Sequence, residues 1–135
     1  MNEDSVTWDD FYSVGFEPID DQHKELVKMT GELFQACEQG VLAADMVFLE
    51  TIKKALNYAE THFSDEEGFL LEVNYPYLNE QKKQHESFLA EVEKSIEEFE
   101  AGNIEPVDMA RFLKKWLLNH IAVSDKRYAP YLAKS

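Results

Sequence analysis

The chain has 135 residues, with 13 Lys or Arg against 27 Asp or Glu, for a formal charge of −14. That length suits one domain, 1-135, whose core can fold without disulfides or metal staples, so a bound metal would serve chemistry. The acidic balance, with no basic cluster, argues against nucleic acid and against an anionic membrane surface as partners.

The opening MNEDSVTWDD lacks the basic and apolar regions of a signal peptide, and no apolar run approaches the roughly 18 residues of a membrane span. A single cysteine, Cys37, excludes an intramolecular disulfide and a cysteine zinc site. A cytoplasmic protein is expected.

Residues 1–18 carry Trp8, Phe11, Tyr12, Val14 and Phe16 around Gly15 and Pro18. Rings of this size suit a non-helical arm packed on the body better than a free tail. The first helix is expected from Asp20 or Asp21, either of which can cap it, to Gly40. Its apolar stripe is Leu26, Val27, Thr30, Leu33, Phe34 and Cys37, and His23 lies on that stripe.

A second helix is expected from Ala44 or Asp45 to Glu72, stopped by Asn74-Tyr75-Pro76. Within it His62 and Glu66 stand four residues apart, one turn of helix, on the face that also carries Ile52, Ala59 and Phe63. An imidazole and a carboxylate sent together into apolar packing are costly unless something binds or neutralises them. Taken alone, the pair is explained more simply by a buried His–Glu hydrogen bond.

The third helix runs from Tyr77 to Glu100 with the stripe Leu78, Gln81, His85, Phe88, Leu89, Val92, Ile96 and Phe99. The fourth opens near Pro106–Asp108 and buries Met109, Leu113, Trp116, Leu117, His120, Ile121 and Ser124. No segment alternates with the period of a strand. Four amphipathic helices on short loops fold most simply as an all-α, antiparallel up-down-up-down four-helix bundle.

The four histidines of the chain, His23, His62, His85 and His120, fall on inward faces of four different helices. In an antiparallel bundle all four reach the same end, and Glu66 joins them. Asp125, five residues beyond His120, lies about 140° away on a regular helix and reaches the layer only if the helix loosens, as a π-type turn allows. Four imidazoles and two carboxylates are too many for one tetrahedral zinc; they suit a pair of iron ions, with manganese less favoured.

Asp20-Asp21-Gln22-His23, His62-Phe63 through Glu66-Glu67, Tyr75-Pro76, His85-Glu86-Ser87-Phe88 and Trp116-Leu117-Leu118-Asn119-His120-Ile121 with Asp125 resemble hemerythrin, in its bacterial single-domain form. Trp8 and Ser13-Val14-Gly15 match that family's arm. The resemblance implies reversible O2 binding, for storage, delivery or sensing, at two non-haem iron ions that are oxo- or hydroxo-bridged. It implies an O2-binding protein rather than an enzyme.

By position, the resemblance assigns His23 and His62 to the iron with the open coordination site. It assigns Glu66 and Asp125 as bridges, and His85 and His120 to the second iron. The family's further histidine, four residues before His85, is here Gln81. Gln81 could ligate weakly through its amide oxygen, yield to water, leave both irons open, or point aside.

Around the open iron, Leu26, Phe63, Trp116, Leu117 and Ile121 would form an apolar O2 pocket by their spacing from the histidines. An extra open position at Gln81 would also permit a di-iron peroxidase or a scavenger of peroxide or NO. A third reading is an iron-binding or interaction module without O2 chemistry.

Overall fold

The structure, a computed structural model, describes residues 6–133, without the side chains of 41–44 and 133. Residues 1–5 of the expected arm and 134–135 of the expected domain lie outside the described residues. Four long helices follow one another: α1 (Glu17–Glu38), α2 (Val41–Glu72), α3 (Leu78–Glu100) and α4 (Pro106–Asn119). Beyond α4 the chain makes a π-helical turn over His120–Asp125, a 3-10 turn over Lys126–Tyr128, and a short α5 (Ala129–Ala133). The helices form a four-helix bundle in which α1 packs on α2 and α4, and α3 on α2 and α4. Among the described residues no helix is long and apolar enough to cross a membrane.

The first boundary differs from expectation. α1 starts at Glu17, follows Phe16 without a side-chain cap, and carries Pro18 in its first turn, where proline's missing N–H costs nothing. Asp20 therefore lies inside the helix. Its carboxylate reaches back, accepting hydrogen bonds from the Ser13 hydroxyl (2.5 Å) and the Val14 N–H (2.9 Å). The segment before α1 is also not wholly irregular, because Asp10–Tyr12 form a 3-10 turn capped by Asp9. Trp8 and Tyr12 pack on the main core, whereas Phe11 stays exposed.

The α2–α3 connection needs one left-handed residue, and Asn74 supplies it with φ 55°. Asparagine tolerates that conformation better than other side chains, and Pro76 then prevents α2 from continuing. Cys37, expected in the core, is only half-buried, and Ala36 is the buried residue of that turn.

Two apolar clusters fill the bundle. The larger includes Leu26, Leu33, Phe34, Phe48, Ile52, Phe63, Phe88, Leu117 and Ile121. The smaller includes Val14, Ile19, Leu70, Tyr75, Tyr128 and Leu132. In chain position several inward polar residues fall between them: His23 between Ile19 and Leu26, Glu66 between Phe63 and Leu70, Asp125 between Ile121 and Tyr128. Each large apolar side chain buried in those clusters contributes about 1.5–3 kcal/mol, while each buried unsatisfied polar group costs about 1–3 kcal/mol. A whole layer of such groups is therefore an expense to stability that the two clusters must offset.

Candidate metal centre

All seven residues expected at the centre are buried: His23, His62, Glu66, Gln81, His85, His120 and Asp125. Regular helix geometry delivers the first five, and His120 stands where α4 passes into the π-helical turn. Asp125 arrives through the π-helical turn, which places it against His120 across five residues, Nε2 to Oδ1 3.0 Å. On a regular helix the buried position would have been Ser124, which is instead half-buried.

The imidazoles form two pairs. His23 and His62 meet edge-to-face at 4.7 Å between centroids, and His85 and His120 do the same at 5.1 Å. Both carboxylates divide their oxygens between the pairs. Glu66 Oε2 lies 3.0 Å from His62 Nε2 and 3.6 Å from His23 Nε2, while its Oε1 lies 3.2 Å from His85 Nε2. Asp125 Oδ2 lies 3.1 Å from His23 Nε2, and its Oδ1 faces His120. Two three-residue groups close enough to hold an ion result, His23/His62/Glu66 and Glu66/His85/His120, with Glu66 common to both.

The nitrogen facing outward on three of the rings is already engaged. His62 Nδ1 meets Gln22 Oε1 at 2.6 Å, His85 Nδ1 meets Glu67 Oε2 at 2.8 Å, and His120 Nδ1 meets Gln84 Oε1 at 2.9 Å. Carboxylate and amide oxygens only accept, so each Nδ1 carries the proton and each Nε2 turns a lone pair inward. Lone pairs aimed at carboxylate oxygens about 3 Å away require a cation or a proton between them. Five buried atoms of the layer lack hydrogen-bond partners: both His23 nitrogens, Glu66 Oε2, His85 Nε2 and Asp125 Oδ2. The donor set thus fits a pair of cations that take nitrogen and oxygen together.

Electrostatics carries the same demand. Burial would raise the Glu66 carboxyl, but the imidazoles of His23, His62 and His85 packed against it hold it well below its ordinary range. Burial likewise opposes the charged form of His23, yet Asp125 and Glu66 together lift it to about 9. His85 is raised against its burial by Glu66 and Glu67. Asp125 is lowered, although burial and the charge of Glu66 oppose it, by His120 and His23. Negative charge concentrated here seeks a counter-ion.

Gln81 is the one member that does not ionise. Its Nε2 donates to Glu66 Oε1 at 2.9 Å and to Asp125 Oδ1, and stands 3.4 Å from His120 Nε2. It does not point aside.

Of the five residues expected to form an apolar pocket, Leu26, Phe63, Trp116 and Leu117 line one cavity of about 30 Å³. Ile121 is fully buried but is not on its wall. The cavity rings touch both histidine pairs: Phe63 lies on His85 and also meets His62 at 5.6 Å between centroids, and Trp116 lies on His120 with centroids 4.4 Å apart and planes 16° from parallel. Thr30, also on the wall, spends its hydroxyl on the Leu26 carbonyl at 3.0 Å, which keeps the lining apolar.

Sequence reasoning missed Gln22, Glu67 and Gln84. Each stands next in sequence to an inward residue (His23, Glu66, His85) and reaches the histidine of another helix. Polar neighbours flanking inward ligands were the available signal.

Residues 14–132 match the family model described as the hemerythrin HHE cation binding domain. The chain is 32% identical over 124 residues to a bacteriohemerythrin of Stenotrophomonas maltophilia, covering 92% of this chain and 79% of that one. It is 30% identical over 123 residues to a myohemerythrin of Theromyzon tessulatum, covering 90% and 88% respectively. A crystal structure of wild-type hemerythrin superposes with a TM-score of 0.81 at 27% identity, over 95% of this chain and 98% of the other.

Proposed function

The chain belongs to the hemerythrin family, and from that premise we propose that it binds O2 reversibly at two non-haem iron ions in the buried layer. His23 and His62 would hold one ion and His85 and His120, with Gln81 beside them, the other, while Glu66 and Asp125 would each offer one oxygen to either position. The observation that carries this reading is the division of oxygens, since each carboxylate presents one oxygen to each imidazole pair. When bound, the iron pair supplies the coordination position and the electrons for O2 binding.

The chain's own residues do the rest. Gln22, Glu67 and Gln84 hold the Nδ1 protons, which fixes the tautomer and aim of three imidazoles. Leu26, Phe63, Trp116 and Leu117 surround the cavity with apolar surface, which admits a small uncharged gas and excludes water. Tyr128, fully buried, is kept neutral because burial and the charges of Asp125 and Glu66 push its hydroxyl well above the ordinary value.

Residues 1-135 act as one domain in this reading. The single cysteine, which leaves no intramolecular disulfide, supports a reducing, cytoplasmic setting. Iron-loading the protein anaerobically and then exposing it to O2 tests the proposal. Two irons per chain with a spectrum that appears under O2 and reverses on its removal are expected. A single zinc, or no retained iron, would overturn it. Peroxide and NO enter the same experiment as competing ligands, and sustained peroxide turnover in place of a reversible spectrum would favour a scavenging role.

A further inference from the structure

The two ion positions differ in what stands between their donors. At the His23/His62 position, the facing atoms His23 Nε2, Glu66 Oε2 and Asp125 Oδ2 have no hydrogen-bond partner. At the His85/His120 position, one N–H₂ group already serves both carboxylates: Gln81 Nε2 donates to Glu66 Oε1 and to Asp125 Oδ1, and lies 3.4 Å from His120 Nε2. Of the four atoms that would receive a cation there, three are addressed by this neutral donor, and only His85 Nε2 has no partner. Gln81 is buried, so water cannot readily replace it.

We propose that Gln81 is an internal placeholder for the second cation, so that the His23/His62 position fills first and the chain has a distinct one-ion form. The inference deepens the di-iron reading and rests on it. An ion entering the second position must take Glu66 Oε1 and Asp125 Oδ1 from the Gln81 amide. The side chain must then turn its oxygen inward or withdraw, because an amide N–H₂ offers no lone pair to a metal. Hydrogen bonds from a neutral donor to buried carboxylates are stronger than those between two neutral groups, and are worth keeping. Their loss is charged against the second ion alone. An imidazole at this site would present its lone pair without surrendering those bonds.

The direct test is anaerobic titration of the chelator-stripped protein with Fe2+, followed by calorimetry, and with Co2+, followed by its visible absorption. Two binding events of unequal affinity are expected in the wild type. His85→Ala should keep the tighter event, and His62→Ala should lose it. Gln81→His should tighten the weaker event by ~10- to 100-fold, the span by which groups around a metal change its affinity. Gln81→Glu, which removes the N–H₂ group and adds a charged oxygen donor, should shift it in the same direction, and thermal melts establish that each variant is folded. Two indistinguishable events in the wild type, or an unchanged weaker event in both folded Gln81 variants, would overturn the placeholder while leaving the di-iron reading in place. Absence of any uptake by the wild type would instead overturn the di-iron reading, and this inference with it.

Discussion

Phe63 lies flat against His85, with ring centroids 3.8 Å apart and planes 5° from parallel. The same phenyl ring forms part of the cavity wall. One side chain of α2 therefore shapes the apolar space and holds an imidazole of α3 from its face, while Glu67 holds that imidazole from its Nδ1 edge. Phe63→Leu keeps the position apolar but removes the flat support. The expected result is a stability loss of roughly 1–3 kcal/mol together with poorer iron retention on dialysis, confined to one of the two ions. Equal loss of both ions would mean that Phe63 acts through the fold rather than through His85.

Glu66 is the residue most exposed to a charge change, because it is common to both three-residue groups and has no accessible surface. Glu66→Gln preserves its shape while withdrawing one oxygen donor and the negative charge. Iron measured by mass spectrometry after loading should fall from two per chain to one or none. Retention of two irons would remove Glu66 from its proposed role as a bridge.

Leu117 borders the cavity and contacts no imidazole by hydrogen bond, so its truncation separates access from ligation. Leu117→Ala should cost about 2–5 kcal/mol of stability, as large-to-small core changes do. Iron content should stay near that of the wild type. The O2-dependent spectrum should decay faster, since the enlarged space admits water. An unchanged lifetime in air would show that the cavity does not guard the site.

Removing the metal exposes the titration of the layer. His23, raised from 6.5 to about 9, stabilises the chelator-treated protein fully below pH 6.5, and this contribution disappears as pH rises through about 9. Glu66 and Asp125, lowered from 4.5 and 3.8, stabilise it above those values and cease to do so as pH falls through their depressed ones. The melting temperature of stripped protein should therefore be highest between 4.5 and 6.5 and decline on both sides. Iron-loaded protein should show a weaker alkaline decline, because the ion takes the place of the His23 proton. Circular dichroism melts across the pH range, with and without iron, make the comparison.

Asp20 ties the segment before α1 to the bundle through Ser13 and Val14. Asp20→Ala should lower stability by about 1–2 kcal/mol, within the range for charge-assisted hydrogen bonds at a half-buried site. Limited proteolysis should then cut before Glu17 sooner than in the wild type. A urea midpoint identical to the wild type's would show that the two hydrogen bonds contribute nothing net.

Much of this molecule is legible in one dimension, because helix periodicity is a local property. Stripes such as Leu26–Thr30–Leu33 and Leu78–Gln81–His85 follow from 3.6 residues per turn, and short loops leave few ways to arrange four helices. For the same reason, His23, His62, His85 and His120 can be counted to one end of the bundle without coordinates. The departures occur where the backbone leaves the regular ladder or where two helices must be set side by side. Asp125 is inward because a π-helical turn widens the step after His120, and the spacing showed only that such a turn was needed. The start of α1 moved to Glu17 because Asp20 serves a contact with Ser13 and Val14 in place of a cap. Gln22, Glu67 and Gln84 meet histidines of other helices, and Phe88, Ala55 and Ala59 complete the cavity, through rotations and crossings that packing sets and no local period encodes. The direction of the Gln81 amide belongs with these. Its position on the inner stripe follows from the sequence, but which of its atoms faces Glu66 and Asp125 depends on two carboxylates brought in from α2 and the π-helical turn, whose negative charge draws the N–H₂ group toward them.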